Sequence, residues 1–328
     1  MNKLLSFAAG TIFAIIATPA LADRDAPRFT SLTVFGDSLV DAGNFYVASD
    51  GTDPDPALGY FQNRFTNGYD YPDLLSLDLF GVPTKPSLLG GSNFAIGGAR
   101  IIDTGDAIPD LEGQLDAFQL SGQGIDPNGL YILNFGGNDV FGAEGVFGED
   151  GAIGNYADTS SYLKAAAGQY VSGLNALVGL GARNILFTDF PQAGDPLTNE
   201  ANGYLSTALS DVTLNPHTSL FFYSLNNFNQ RVLQNPASLG LPPQRIDTTC
   251  IAESAQSTGC TGIFSFDGVH PTAAIQLAGY RDMDQQLGLS AVTAVPETAT
   301  WVTMILGMGA IGFAARRRQK VRTTGEFA

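Results

Sequence analysis

Histidine and cysteine are the scarcest reactive residues in this 328-residue sequence, with two of each: His217, His270, Cys250 and Cys260. The histidines stand 53 positions apart, which argues against the clustered Cys/His spacing of a zinc site. Any chemistry that needs an imidazole base has only two places to find one. Basic side chains are also few, 16 against 32 acidic ones. Such a chain repels phosphate backbones and anionic lipid surfaces at long range, so nucleic acid is excluded as a partner. No metal and no cofactor is expected.

Long apolar runs occur only near the two ends. The N-terminus, MNKLLSFAAGTIFAIIATPALAD, has one positive charge at Lys3, an apolar run to about Ala17, and then Ala20-Leu21-Ala22. That order is a secretory signal peptide over residues 1–22, cut before Asp23. A membrane anchor is the weaker reading, because the run is short and ends in small residues. Toward the C-terminus, a Pro-Glu pair precedes an apolar run from Ala299 to Ala315 and a basic end at 316–322. Seventeen residues as a helix cover about 25 Å, near the lower limit for a bilayer of about 30 Å. The run has no polar face, unlike an amphipathic helix of a soluble domain.

The segment 291–328 resembles the PEP-CTERM sorting tail of exported Gram-negative bacterial proteins, with Thr298 at the third motif position. That resemblance implies transient anchoring in the inner membrane, an exosortase-like enzyme as a partner beside the export machinery, and a destination in the periplasm, at the cell surface or in the extracellular matrix. Removing both ends leaves a body of ten basic and thirty acidic residues. Its length, 23–290, suits one large domain. In an exported chain, Cys250 and Cys260 are expected to pair as one disulfide rather than remain free thiols.

Within the body, short apolar runs alternate with helical patterns. Ser31–Phe35, Ser92–Ile96, Leu130–Phe135 and Asn184–Phe190 read as buried strands bounded by Gly, Pro or Asp. Helical patterns cover Tyr71–Phe80, Leu111–Leu120, Tyr162–Leu180, Thr218–Gln234 and Pro271–Leu287. The alternation predicts an α/β domain with a mainly parallel sheet covered on both faces. Two Gly- and Asp-rich loops, 48–68 and 141–161, leave the carboxyl ends of predicted strands, where such sheets place their sites. Asp50, Asp53 and Asp55 fit no complete calcium loop and read as a solvated acidic segment.

His270 lies in FSFDGVHPT, three residues after Asp267 and just before Pro271. Proline holds its predecessor extended and suits the first turn of a helix. His270 is therefore expected at the mouth of the last helix, as a base or as an ordinary helix start. His217 has no acid within four residues and opens a predicted amphipathic helix. In TVFGDSLVDAGN an apolar run ends at Gly36, so Ser38 falls at the carboxyl end of a strand, as nucleophile or helix cap. The motif NFGGND brings Gly136, Gly137 and Asn138 to another strand end, as oxyanion donor or as turn chemistry. In NFAIGGAR, Gly97 or Gly98 could form a tight turn or offer a backbone N–H.

Together and in this order, FGDSLVDAGN, RFTNGYDYPDLL, SNFAIGGAR, GGND, GARNILFTDFPQAGDP and FDGVHPT resemble the blocks of the GDSL, or SGNH, hydrolase family in its lipase-like branch, from Ser31 to about Leu287. The resemblance implies a flavodoxin-like three-layer α/β/α sandwich. It implies Ser38 as nucleophile, His270 as base and Asp267 as the acid that orients it. The oxyanion hole would comprise the Ser38 N–H, the N–H of Gly98 (Gly97 being the alternative) and the Asn138 amide. The implied activity is esterase or lipase chemistry through an acyl-enzyme, on a lipid, a short-chain ester or an acylated polysaccharide. Acyl transfer and polysaccharide deacetylation would use the same residues. A non-catalytic surface or matrix module would require a damaged block, and every block is intact.

Overall fold

The computed structural model describes residues 28–145 and 155–290. The readings made for 1–22 and 291–328 lie outside them. Four parallel strands form the main sheet in the order β1 (Leu32–Gly36), β2 (Leu130–Asn134), β3 (Asn184–Thr188) and β4 (Ser219–Tyr223). The expected strand Ser92–Ile96 is present only as an irregular fifth edge beside β1. Val34 N–H donates to Ser92 O, and the Phe94 and Ile96 N–H groups return bonds to Val34 and Gly36. Only two isolated bridges are regular there, Val34 to Asn93 on the β1 side and Pro86 to Asn93 on the other. With this edge counted second, the sheet follows the 2-1-3-4-5 order of flavodoxin-like folds.

Buried strands with both faces covered read as continuous apolar runs, and their alternate side chains enter two different cores. On one face, Phe35, Tyr131, Leu133, Ile185 and Phe187 pack with helices α3 (Leu111–Leu120), α5 (Thr159–Leu180) and α6 (Pro196–Ala208). On the other, Val34, Leu130, Ile132 and Leu186 pack with α2 (Tyr71–Phe80), α7 (Leu225–Gln234) and α8 (Ala273–Leu287). The expected three-layer sandwich is therefore the observed architecture. Helices α2 and α3 have the bounds that periodicity and their flanking aspartates suggest; Asp70 caps α2 by accepting from the Asp73 N–H.

One expected helix is corrected. The pattern over Thr218–Gln234 divides into β4 and α7, with Ser224 between them capping α7 by accepting from the Asn227 N–H. β4 lies at the sheet edge and is only partly buried, so its apolar pattern merges with the amphipathic helix that follows. His217 accordingly stands exposed in the turn before β4 rather than on a helix. Two short helices, α1 (Asn44–Ala48) and α4 (Gly137–Ala143), follow the ends of β1 and β2. A small parallel pair, β5 (Arg245–Thr249) and β6 (Ile263–Ser265), supports the chain that leads into α8.

Candidate active site

Strand β1 ends at Gly36, and the next residues turn sharply. Asp37 N–H donates to Asn134 O, and the Asp37 carboxylate accepts the Leu39 N–H at 2.9 Å. Ser38 is thereby lifted out of the sheet at its carboxyl end, and its own N–H has no acceptor among the described residues. Burial pushes the Asp37 carboxyl up to about 7, with the Asp139 and Asp41 charges adding to the effect.

A second turn delivers the acid and the imidazole. Phe266 N–H donates to His270 O at 2.7 Å, which closes the segment 266–270 on itself. Gly268 sits at its tip with φ 113°, a conformation that side chains rarely adopt. Asp267 Oδ1 accepts the Val269 and His270 N–H groups, each at 2.9 Å, and the His270 ring turns back over the same carboxylate. His270 Nδ1 and Asp267 Oδ2 are 2.7 Å apart, and His270 Nε2 and Ser38 Oγ are also 2.7 Å apart. Three residues spread over 232 positions thus form one unbroken hydrogen-bonded chain. Burial alone would raise the Asp267 carboxyl, but the bonds and charge of His270 override it and hold the group at about 2.

Asn138 lines one cleft with Ser38 and is tied to the glycine segment. It is the second residue of α4, and its Nδ2 donates to Ala99 O at 2.9 Å, leaving the second amide hydrogen available. Asp139, next to it, accepts the Ile101 N–H at 2.9 Å, so two consecutive side chains clamp the 97–102 segment. The two glycines behave differently. Gly97 is buried, its N–H is taken by Asp41 Oδ2 at 2.9 Å, and a Cβ there would fall 2.6 Å from Phe65. Gly98 is exposed with φ 86°, and its N–H has no acceptor among the described residues.

The 247 residues from 32 to 278 match the family model of the GDSL-like lipase/acylhydrolases. The chain belongs to this family. It is 28% identical to Esterase EstA of Pseudomonas aeruginosa over 75% of this chain and 43% of that protein. Lipase 1 of Photorhabdus luminescens is 28% identical over 59% of this chain and 26% of its own length. The chain therefore spans less than half of either relative. Among solved structures, LAE5, an alpha/beta hydrolase enzyme from the metagenome of Lake Arreo, Spain, is 14% identical, covering 79% of this chain and 95% of its own with a TM-score of 0.43.

Several residues that shape this GDSL site carry no signal in sequence reasoning. Asp41 is fully buried and accepts from the Gly43, Asn44 and Phe45 N–H groups as well as Gly97. It ties α1 to the glycine segment, and burial pushes its carboxyl up to about 6 against those donors. Tyr60 donates its hydroxyl to Asp267 Oδ2 at 2.8 Å. Phe65 lies over the His270 ring, centroids 5.0 Å apart. Asn67 Oδ1 accepts the Ala273 N–H and so caps α8, which Thr272 leaves without a side-chain cap. Its Nδ2 meets Cys260 Sγ at 3.2 Å, and Cys260 is disulfide-bonded to Cys250. The loop 60–69 is thus the third support of the site. Among the described residues no group of three His, Cys, Asp or Glu side chains could hold a metal ion, Asp50, Asp53 and Asp55 included.

Proposed function

We propose that the protein is a serine ester hydrolase in which Ser38 is the nucleophile, His270 the general base and Asp267 the acid that orients the imidazole. The observation that carries this reading is the chain Ser38 Oγ, His270 Nε2, His270 Nδ1, Asp267 Oδ2, with both links at 2.7 Å. A serine hydroxyl is a poor nucleophile until a base takes its proton, and Asp267 selects the tautomer whose Nε2 faces Ser38.

The reaction proceeds in two balanced steps. His270 Nε2 takes the Ser38 proton as Oγ bonds to the ester carbonyl carbon, and the carbonyl oxygen becomes an oxyanion. The oxyanion is received by the N–H groups of Ser38 and Gly98 and by the Asn138 amide. The free N–H groups and the Ala99 bond that aims Asn138 support these assignments. Collapse breaks the bond to the leaving alcohol, which takes the proton from His270. Water then repeats the sequence on the acyl-Ser38 ester and releases the carboxylic acid.

The test is hydrolysis of 4-nitrophenyl esters by the wild type and by Ser38→Ala. Loss of a nucleophile that acts together with its base costs on the order of a thousandfold or more in kcat. Equal rates for the two proteins would sink the reading.

We also propose that the protein works outside the cytoplasm, with residues 23–290 as the hydrolase domain and with the export machinery and an exosortase-like enzyme as partners. The signal-peptide pattern at 1–22, the PEP-CTERM-like tail and the Cys250–Cys260 disulfide support this. N-terminal sequencing of protein recovered from its native bacterium should begin at Asp23; material beginning at Met1 would overturn the export reading.

A further inference from the structure

Asn138 stands on a backbone that its own sequence does little to fix. The two residues before it are glycines, and Gly136 has φ 109°. Glycine leaves the chain more conformational freedom than any other residue. What holds this stretch comes from the loop after β3. The Phe190 ring lies against Gly136, where a Cβ would fall 2.6 Å from its Cδ1. Gln192 Nε2 donates to Gly137 O at 2.9 Å. That carbonyl shares its peptide plane with the Asn138 N–H, so the bond fixes the plane from which Asn138 departs.

The loop is itself tied to two helices. Asn202 of α6 accepts the Phe190 N–H and donates to Phe190 O, both at 3.0 Å. From α7, Asn226 donates to Gln192 O at 2.8 Å and Asn229 to Pro191 O at 2.9 Å. Thr198, fully buried in α6, donates its hydroxyl to Gln192 Oε1 at 3.2 Å. With its oxygen so engaged, the Gln192 amide presents its nitrogen to Gly137.

We propose that Gln192 is a positioning residue of the oxyanion hole, acting through the Gly137–Asn138 peptide. The proposal rests on Ser38 being the nucleophile and Asn138 an oxyanion donor. Asn138 is then held from two directions, by Ala99 O at its side chain and by Gln192 at its backbone. An oxyanion donor works only when aimed at the place where charge develops, and a displacement of about 1 Å can cost on the order of a hundredfold in rate. Gln192 also lines the cleft, so direct contact with the substrate is the rival role. The two roles leave different kinetic signatures.

The experiment is a double-mutant cycle on hydrolysis of 4-nitrophenyl acetate by the full chain, with Gln192→Met, Asn138→Ala and the two combined. Methionine keeps the length of the side chain and removes both amide bonds. Gln192→Met should lower kcat about tenfold with KM within about twofold of the wild type. In the Asn138→Ala background the same change should cost less than about twofold, because the donor it misplaces is already gone. Wild-type kcat in Gln192→Met, or a change confined to KM, overturns the proposal. So does a tenfold loss that recurs in the Asn138→Ala background, which would mean that Gln192 meets the substrate itself. If Gln192→Met does not fold, Thr198→Val decides, since Thr198 is buried and is not among the residues lining the cleft. It should lower kcat about threefold, and only while Asn138 is present; an unchanged kcat, or a loss independent of Asn138, refutes the role. Hydrolysis that survives Ser38→Ala overturns the enzyme reading instead.

Discussion

The hydroxyl of Tyr60 donates to Asp267 Oδ2 at 2.8 Å, onto the same oxygen that meets His270 Nδ1. Asp267 therefore has all its strong acceptor directions filled: two by the backbone of its own turn, one by the imidazole and one by a loop 207 positions away. Burial and the Asp267 charge push the Tyr60 phenol up, so it remains a donor across the working pH range. Its ring packs edge-on against Phe266, with centroids 4.9 Å apart. In the proposed reaction Tyr60 is a positioning residue, acting on the imidazole through Asp267.

Tyr60→Phe keeps the ring and removes only the hydroxyl. A hydrogen bond to a charged group contributes about 1.5–3 kcal/mol. If half of that fixes the carboxylate for His270, kcat falls roughly three- to tenfold. KM should hold, because Tyr60 is not among the residues lining the cleft. Steady-state kinetics on one ester check both numbers; a change confined to KM would refute the positioning role.

Asn138→Ala removes the amide that Ala99 O aims. Loss of one oxyanion donor costs on the order of 10²–10³ in kcat. Asn138 is only half-buried, so the variant should melt near the wild type. A folded Asn138→Ala with wild-type kcat would remove this residue from the oxyanion hole.

The Cys250–Cys260 disulfide packs with Phe266, and the Cys250 and Ile251 N–H groups bond to Ser265 O and Phe266 O, just before Asp267. In the chain-entropy model, a loop this short contributes about 2.5–3 kcal/mol. Confirmed reduction should lower Tm by ~5–10 °C. It should also lower kcat, since the turn carrying Asp267 and His270 loses a wall. Unchanged Tm and kcat would show that the bridge is incidental.

Stability should rise as the solution is acidified from pH 8 toward pH 5. Burial raises the carboxyls of Asp37 and Asp110 to about 7 and that of Asp189 to about 6, from an ordinary 3.8. Between 3.8 and those values the folded state binds more protons than the unfolded chain, so stability falls as pH rises through the window. Asp267, held at about 2, acts oppositely: its contribution is present above 3.8 and is lost as pH drops toward 2. Thermal melts across pH 3–9 should peak between about 4 and 6. Asp110→Asn, which can still accept the Arg100 N–H, should flatten the alkaline slope; a slope unchanged in this variant would contradict the assignment.

Some of this molecule was legible because local rules and tertiary need coincide. Helices α2 and α3 begin after aspartates and bury Tyr71 and Leu75, and Leu111, Leu115 and Phe118, and strands β1 to β3 are buried on both faces. Asp267 and His270 meet within a single turn. Other features escaped because their cause is not local. The Ser92–Ile96 segment is divided between two partners, with Asn93 bonding to Lys85 and Ser87 while Ser92, Phe94 and Ile96 bond to β1, and β4 is a half-covered edge strand whose pattern runs into α7. Tyr60 and Asp41 look like an ordinary loop tyrosine and an ordinary turn aspartate until their distant partners are in place.

The sequence by itself determined the chemical inventory: one histidine beside an acid, a serine and an asparagine after strands, and paired glycines, in the order of the GDSL blocks. Only the tertiary structure decided which of those groups stay available. Asp41 takes the N–H of Gly97 and leaves that of Gly98 open, and Ala99 takes one hydrogen of Asn138 and leaves the other. The cleft that Ser38 and Asn138 line is likewise invisible in one dimension, because its walls come from segments as far apart as Asp37 and Met283 that meet only on folding. A hydrogen bond already made cannot serve a substrate, and a wall needs two sides; both are properties of packing rather than of order along the chain.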